Sequence, residues 1–244
     1  METPFRLSVL QRQFRGAKRH LLWVFVAFGV GASLTWWYRA WVFYWLLSPV
    51  RRSMGETWKP IFTGPTDMFG LTIHLAMLGG LAFASPVLLY AAVRFISPFL
   101  PRPAKRFVLF FLLTSIAAYL IGAAFALFVM LPTGLTFLLQ FGTDIATPMI
   151  RITEYMDLAL AMVFWLGVVF ELPLAMLMAT KMRIVPYETL KRLNRYVPVM
   201  AFILGAIITP TFDVVNQTLV SVPIILLYEV GLFLAWTARR RPRR

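Results

Sequence analysis

Long apolar runs alternate along this chain with short polar, basic or proline-bearing stretches, and their lengths set the first reading. A helix needs about 20 apolar residues to cross a bilayer. The pattern predicts six such helices, at 21–43, 68–93, 107–131, 158–180, 196–208 and 214–235. The fifth is barely long enough, so it should thin the local bilayer or recess its outer loop. Residues 107–142 carry no charge, which exceeds one span; Pro132-Thr133-Gly134 is read as the end of the third helix, with 135–141 lying at the interface. The stretch 44–67, with Pro49, Pro60 and Pro65, reads as irregular or short interfacial structure, and 144–157 as a loop carrying Tyr155 ahead of the fourth span. Ser85-Pro86 should kink the second span, and 94–106 should be a tight loop. A short helix is expected to start at Pro186-Tyr187.

Composition agrees with an all-α polytopic membrane protein forming one membrane domain over 1–244: 60% of the 244 residues are hydrophobic. The net charge of +14 would suit nucleic acid only on a solvated basic surface, whereas here the bases cluster between apolar runs. Of the 24 Lys and Arg, 19 fall on the N-terminal tail, the second and fourth connections and the C-terminus, against 5 on the first and third connections. The positive-inside bias therefore puts both termini in the cytoplasm. The basic segment from Arg6 to Arg19 reads as a cytoplasmic tail, not a cleaved signal, and the polybasic 239–244 as a topology anchor touching anionic lipid. With no cysteine and two histidines, no metal site and no cofactor are expected.

Chemistry centres on Glu171, near the middle of the 158–180 run. A charged group at that depth costs at least a few kcal/mol, so it faces a protein interior, a wet cavity or a polar partner. A role in packing alone stays open. Thr209, Asp213 and Gln217 cluster around the fifth-to-sixth connection, and Glu229 lies late in the sixth span. Polar side chains in lipid act as directional contacts between helices, within a chain or between chains. His74, inside the second span without an acid within a turn or two, reads as a structural histidine. No nucleophile elbow, phosphate loop or zinc helix appears, so the chain is not read as an enzyme.

Several segments resemble the TatC family of the twin-arginine protein translocase: Ala84-Ser85-Pro86-Val87-Leu88-Leu89-Tyr90 leading to Phe95-Ile96-Ser97-Pro98, Phe170-Glu171-Leu172-Pro173, Thr209-Pro210 with Asp213 and Gln217, and Leu227-Tyr228-Glu229-Val230-Gly231. The resemblance implies a cup-like fold with short fifth and sixth helices and no prosthetic group, in the cytoplasmic membrane of a prokaryote. It implies an oligomeric complex with single-span TatA and TatB partners, which receives folded precursors bearing twin-arginine signal peptides and uses the protonmotive force. Glu171 matches the family's intramembrane glutamate, expected to meet a polar group on a partner helix. Thr209 and Gln217 match its partner-contacting cluster, and Pro49, Phe95, Tyr155, Asp213 and Glu229 match recurrent positions.

Two departures stand out. The family's cytoplasmic His-Leu-x-Glu-Leu-Arg pattern aligns with 14–20, where Gly16 replaces the acid, and a second acid aligns with Ala104. Carboxylates bind guanidinium bidentately and a basic surface repels it. Reading of the twin arginines is thus expected to be weakened, moved to Glu2 or Glu188, or supplied by another subunit. The competing reading is a small proton-coupled transporter or channel, with Glu171 and His74 lining a path. No internal repeat supports it.

Overall fold

A computed structural model describes residues 4–54, 60–96, 105–140, 150–209 and 214–238. Regular structure among them is helical, and the only extended pairing is an isolated bridge between Ile61 and Arg151. Helix α1 (Pro4–Trp37) packs along α3 (Asp67–Ile96), and α3 packs on α6 (Ile152–Phe170). Helix α6 also receives α4 (Lys105–Phe125), which touches α3 as well; the α7 helix (Leu172–Lys181) packs on α10 (Val214–Ala238), which also carries α9 (Val197–Ile208). Half of the most apolar window of Ile152–Lys181 is buried, against 22% for Leu109–Leu138, so α6–α7 is the spine of the molecule. The main core joins Leu46, Leu71, Met156, Leu166 and Val220 from four different helices. Many large apolar side chains face outward, among them Leu22, Phe25, Phe110, Leu120 and Ile207, as lipid-facing helices require.

Among the described residues four helices are long and apolar enough to cross a membrane, or five if the bent pair Leu21–Trp37 and Arg39–Arg52 forms one broken span. Among the described residues α9, at 12 residues, rises only about 18 Å and does not meet that length.

Several local readings of the sequence are revised: α3 runs on to Ile96 and α4 starts at Lys105, both inside the stretch expected to be a tight loop, α10 at 25 residues is not the short sixth helix expected, and three further changes go deeper. First, the chain bends by 76° after Trp37, inside the expected first span, and α2 (Arg39–Met54) continues as regular helix into ground expected to be irregular or short interfacial structure. The bend frees the Trp36 carbonyl, and the Arg39 guanidinium donates to it at 3.2 Å. Helix α2 then buries Leu46, Leu47 and Val50, with Pro49 inside it. Second, the helix does not stop at Pro132. A π-helical turn (Ala126–Met130) leads straight into α5 (Leu131–Gln140), with the Leu131 N–H reaching Ala126 O. Pro132 directly follows the π turn as the second residue of α5, and the helix runs on through it. Gly134 is needed for close approach, since a Cβ there would lie 2.5 Å from Asn216 Oδ1 of α10. Third, α6 begins at Ile152, so Tyr155 and Asp157 are helical, not loop, residues.

Proline inside α2 and α3 is handled by one device. Pro49 and Pro86 cannot donate to the carbonyls four residues back, those of Trp45 and Ala82. The serine just before each proline does so instead: Ser48 Oγ to Trp45 O at 2.7 Å and Ser85 Oγ to Ala82 O at 3.0 Å. Both helices continue through their prolines.

Candidate functional site

Glu171 occupies the break between α6 and α7. Pro173, two residues on, has no N–H to return to Val169 O, so the spine cannot continue as regular α-helix. The Glu171 N–H closes the end of α6 instead, reaching Val168 O at 3.0 Å and also Val169 O. Its side chain turns inward and is 4% exposed. Ser85 Oγ of α3 donates to Glu171 Oε1 at 3.0 Å. Ser115 of α4, fully buried, lies close enough to interact with the same carboxyl, although no bond of proper geometry forms. Close helix contact makes this possible: a Cβ on Gly122 would lie 2.6 Å from Leu166 O, and one on Gly167 2.5 Å from the Tyr119 ring, so α4 and α6 approach through glycine.

A second polar site lies on the α9–α10 pair. Gln217 Nε2 donates to Phe202 O at 2.9 Å while the side chain stays half-buried. It lines a groove of 590 Å³ with Pro198, Val199, Phe202, Ile203 and Ile207, apolar apart from Gln217 itself. The two helices meet through small residues: Ser221 Oγ donates to Gln217 O at 2.7 Å and lies 3.1 Å from Ala201 O, against Gly205. Thr209 closes α9, with its N–H and hydroxyl both on Gly205 O at 2.9 and 2.8 Å. That side chain is buried and its hydroxyl is used within the chain.

The remaining expected residues scatter. The buried Tyr155 donates its hydroxyl to Leu46 O, tying α2 to the spine. Pro49 is buried in the same α2 segment. Glu229 Oε1 accepts from Asn194 Nδ2 at 2.7 Å, and Tyr228 donates to Leu190 O at 2.8 Å, which together fasten α8 (Tyr187–Leu193) and the 3₁₀ turn after it to α10. Phe95 lies in the last turn of α3. Asp213 and Ala104 lie outside the described residues, whereas Gly16 falls within helix α1.

His74 has a partner that sequence distance hid: its Nδ1 lies 3.1 Å from Asp157 Oδ1 of α6, 83 residues away. It shares no hydrogen bond with Glu171. Near that end Arg151 bonds Thr63 Oγ1 at 2.7 Å and Glu154 at 3.2 Å, while Asp67 caps the turn at Thr63-Gly64. Ser85 and Ser115 were missed as site residues. Ser85 had a visible signal, its place immediately before a mid-helix proline. Among the described residues no group of three or more acidic or histidine side chains could hold a metal ion.

Comparison with known proteins covers nearly the whole chain. The family model for the Sec-independent protein translocase protein (TatC) matches residues 14–223. The chain is 33% identical over 233 residues to the Sec-independent protein translocase protein TatC of Koribacter versatilis (strain Ellin345), covering 93% of this chain and 86% of the relative. It is 34% identical over 236 residues to that of Aquifex aeolicus (strain VF5), covering 96% and 97%. A crystal structure described as the twin arginine translocase receptor TatC superposes with a TM-score of 0.79 at 34% identity, covering 93% of this chain and all of that one.

Proposed function

This chain belongs to the TatC family of Sec-independent protein translocase components, a multi-pass membrane family with a transport role, and on that premise we propose that it is the core subunit that receives folded precursors with twin-arginine signal peptides. In this reading six helices cross the cytoplasmic membrane of a prokaryote, α9 being a short fifth, and both termini are cytoplasmic. The excess of Lys and Arg on 1–20, 94–106, 181–195 and 239–244 supports that orientation and a contact with anionic lipid. TatA- and TatB-type single-span helices dock in an oligomeric complex driven by the protonmotive force.

The observation that carries the reading is the α9–α10 groove, where a half-buried amide, Gln217, sits in an otherwise apolar trough open to the membrane. An apolar helix bearing one polar group fits such a trough, since in lipid the amide supplies directionality and the apolar walls supply packing. Glu171 is the second docking element, reached after its bond to Ser85 is exchanged. Thr209 closes α9, whose side chains line the groove, and Asp213 is taken as a contact position from its place in the sequence alone. Pro49, Tyr155 and Glu229 hold the frame in which these contacts are made, and Phe95 is taken as a contact position from its place in the sequence alone. With Gly16 and Ala104 in place of acids, Glu188, exposed in the first turn of α8, is the described candidate for reading the two arginines.

Two measurements test this. A labelled twin-arginine peptide should bind the protein in nanodiscs more tightly than a twin-lysine control at moderate salt, and Glu188→Gln should reduce the difference. Equal binding of both peptides defeats the receptor reading. Because the chain has no cysteine, single cysteines at Val199 and Ile203 allow cross-linking to a single-span partner; Gln217→Leu should lower the yield, and an unchanged yield removes Gln217 from docking.

The transporter reading has less behind it. Among the described residues Glu171 bonds Ser85 and His74 bonds Asp157, and no hydrogen bond joins the two pairs.

A further inference from the structure

The Glu171 carboxyl is directed into the protein by a single side-chain donor with two acceptors in reach. Ser85 Oγ lies 3.0 Å from Glu171 Oε1 and 3.0 Å from Ala82 O, the carbonyl that Pro86 leaves without its N–H. A hydroxyl carries one proton, so the two acceptors compete for it. Ser85 is 7% exposed and Glu171 4%, hence neither is compensated by solvent. On the facing helix Ser115 is fully buried, without a hydrogen-bond partner among the described residues, and close to the same carboxyl. A buried hydroxyl left unpaired is unfavourable, so Ser115 stands as a spare donor beside that carboxyl.

We propose that Ser85 is a positioning residue: it holds the Glu171 carboxyl masked between α3 and α4, and a polar group on a partner helix reaches Glu171 only by displacing Ser85. The exchange is nearly balanced. When Glu171 leaves, the Ser85 proton turns fully onto Ala82 O and is not orphaned, so release costs about one neutral-to-polar hydrogen bond, which a partner's polar group returns. Ser115 offers the carboxyl an alternative contact during the exchange. A serine before a proline is suited to this because the proline guarantees it a second acceptor at the same distance. The proposal rests on reading Glu171 as a partner contact.

The test uses the full chain in lipid nanodiscs with dicyclohexylcarbodiimide, which modifies carboxyls within the membrane, and follows Glu171 by mass; Glu171→Gln identifies the site. Ser85→Ala should label about fivefold faster than the parent, the scale set by loss of one hydrogen bond, and Ser85→Thr, which keeps the hydroxyl, should label at the parent rate. In parallel, the infrared carboxyl band removed by Glu171→Gln should shift in Ser85→Ala and return in Ser85→Thr, a readout that general loosening of packing would not restore. Equal labelling and an unmoved band in Ser85→Ala overturn the proposal. If Ser85→Ala unmasks Glu171 while Glu171→Gln exports precursor as well as the parent, positioning stands and docking at Glu171 falls.

Discussion

Glu171 and Gln217 each sit close to the end of a helix, and the fold treats them in opposite ways. Glu171 lies on the spine, where α3 and α4 close over it and a serine takes its carboxyl. Gln217 lies on the outermost hairpin, where α9 rests mainly on α10 and leaves a groove beside the amide. The difference follows from the number of surrounding helices. A polar group enclosed by three helices is satisfied within the chain, whereas one between two short-contact helices keeps part of its surface for a partner. The central site is therefore gated and the peripheral one open.

The strongest way to break that contrast is to remove the carboxyl. Glu171→Leu should reduce precursor export about tenfold or more, and Glu171→Gln, which keeps a hydrogen-bonding head, should retain a measurable part of it. Equal loss in both variants would make charge, and not hydrogen bonding, the working property. Next in size, Gly205→Leu forces a side chain to within 2.6 Å of Ser221 Oγ and 3.0 Å of Gln217 O. It should cost about 1–3 kcal/mol by thermal melting, through overpacking, and distort the groove so that cross-linking at Val199 falls as well. A stable protein with intact cross-linking would show that the hairpin is not held through Gly205.

Tyr155→Phe sharpens the comparison from the spine side. It deletes the buried hydroxyl that ties α2 to α6 and should cost about 1 kcal/mol, leaving cross-linking at the α9–α10 groove unchanged. The smallest effect is expected at His74. Its bond to Asp157 is half-exposed on both sides, so a double-mutant cycle with His74→Ala and Asp157→Ala should give a coupling of about 1 kcal/mol or less. A much larger coupling, or abolished export in either single variant, would revive a proton-path role for His74.

The apolar periodicity by itself determined that this is a helical membrane protein, because run length and the absence of charge are properties of the chain alone. It also singled out Glu171, since a carboxyl in the middle of an apolar run is visible without coordinates. Helix ends were less legible. Pro132 did not stop its helix, which passes through a π turn just before it, and α2 continued through Pro49 because Ser48 capped the freed carbonyl. Only the tertiary structure decided which polar groups face one another. His74 met Asp157 and Ser85 met Glu171 across 83 and 86 residues, and no local pattern encodes pairs so distant. They arise from the packing of α3 on α6, which fixes the rotation of each helix about its axis and thereby chooses whether a polar side chain looks into the protein or out toward a partner.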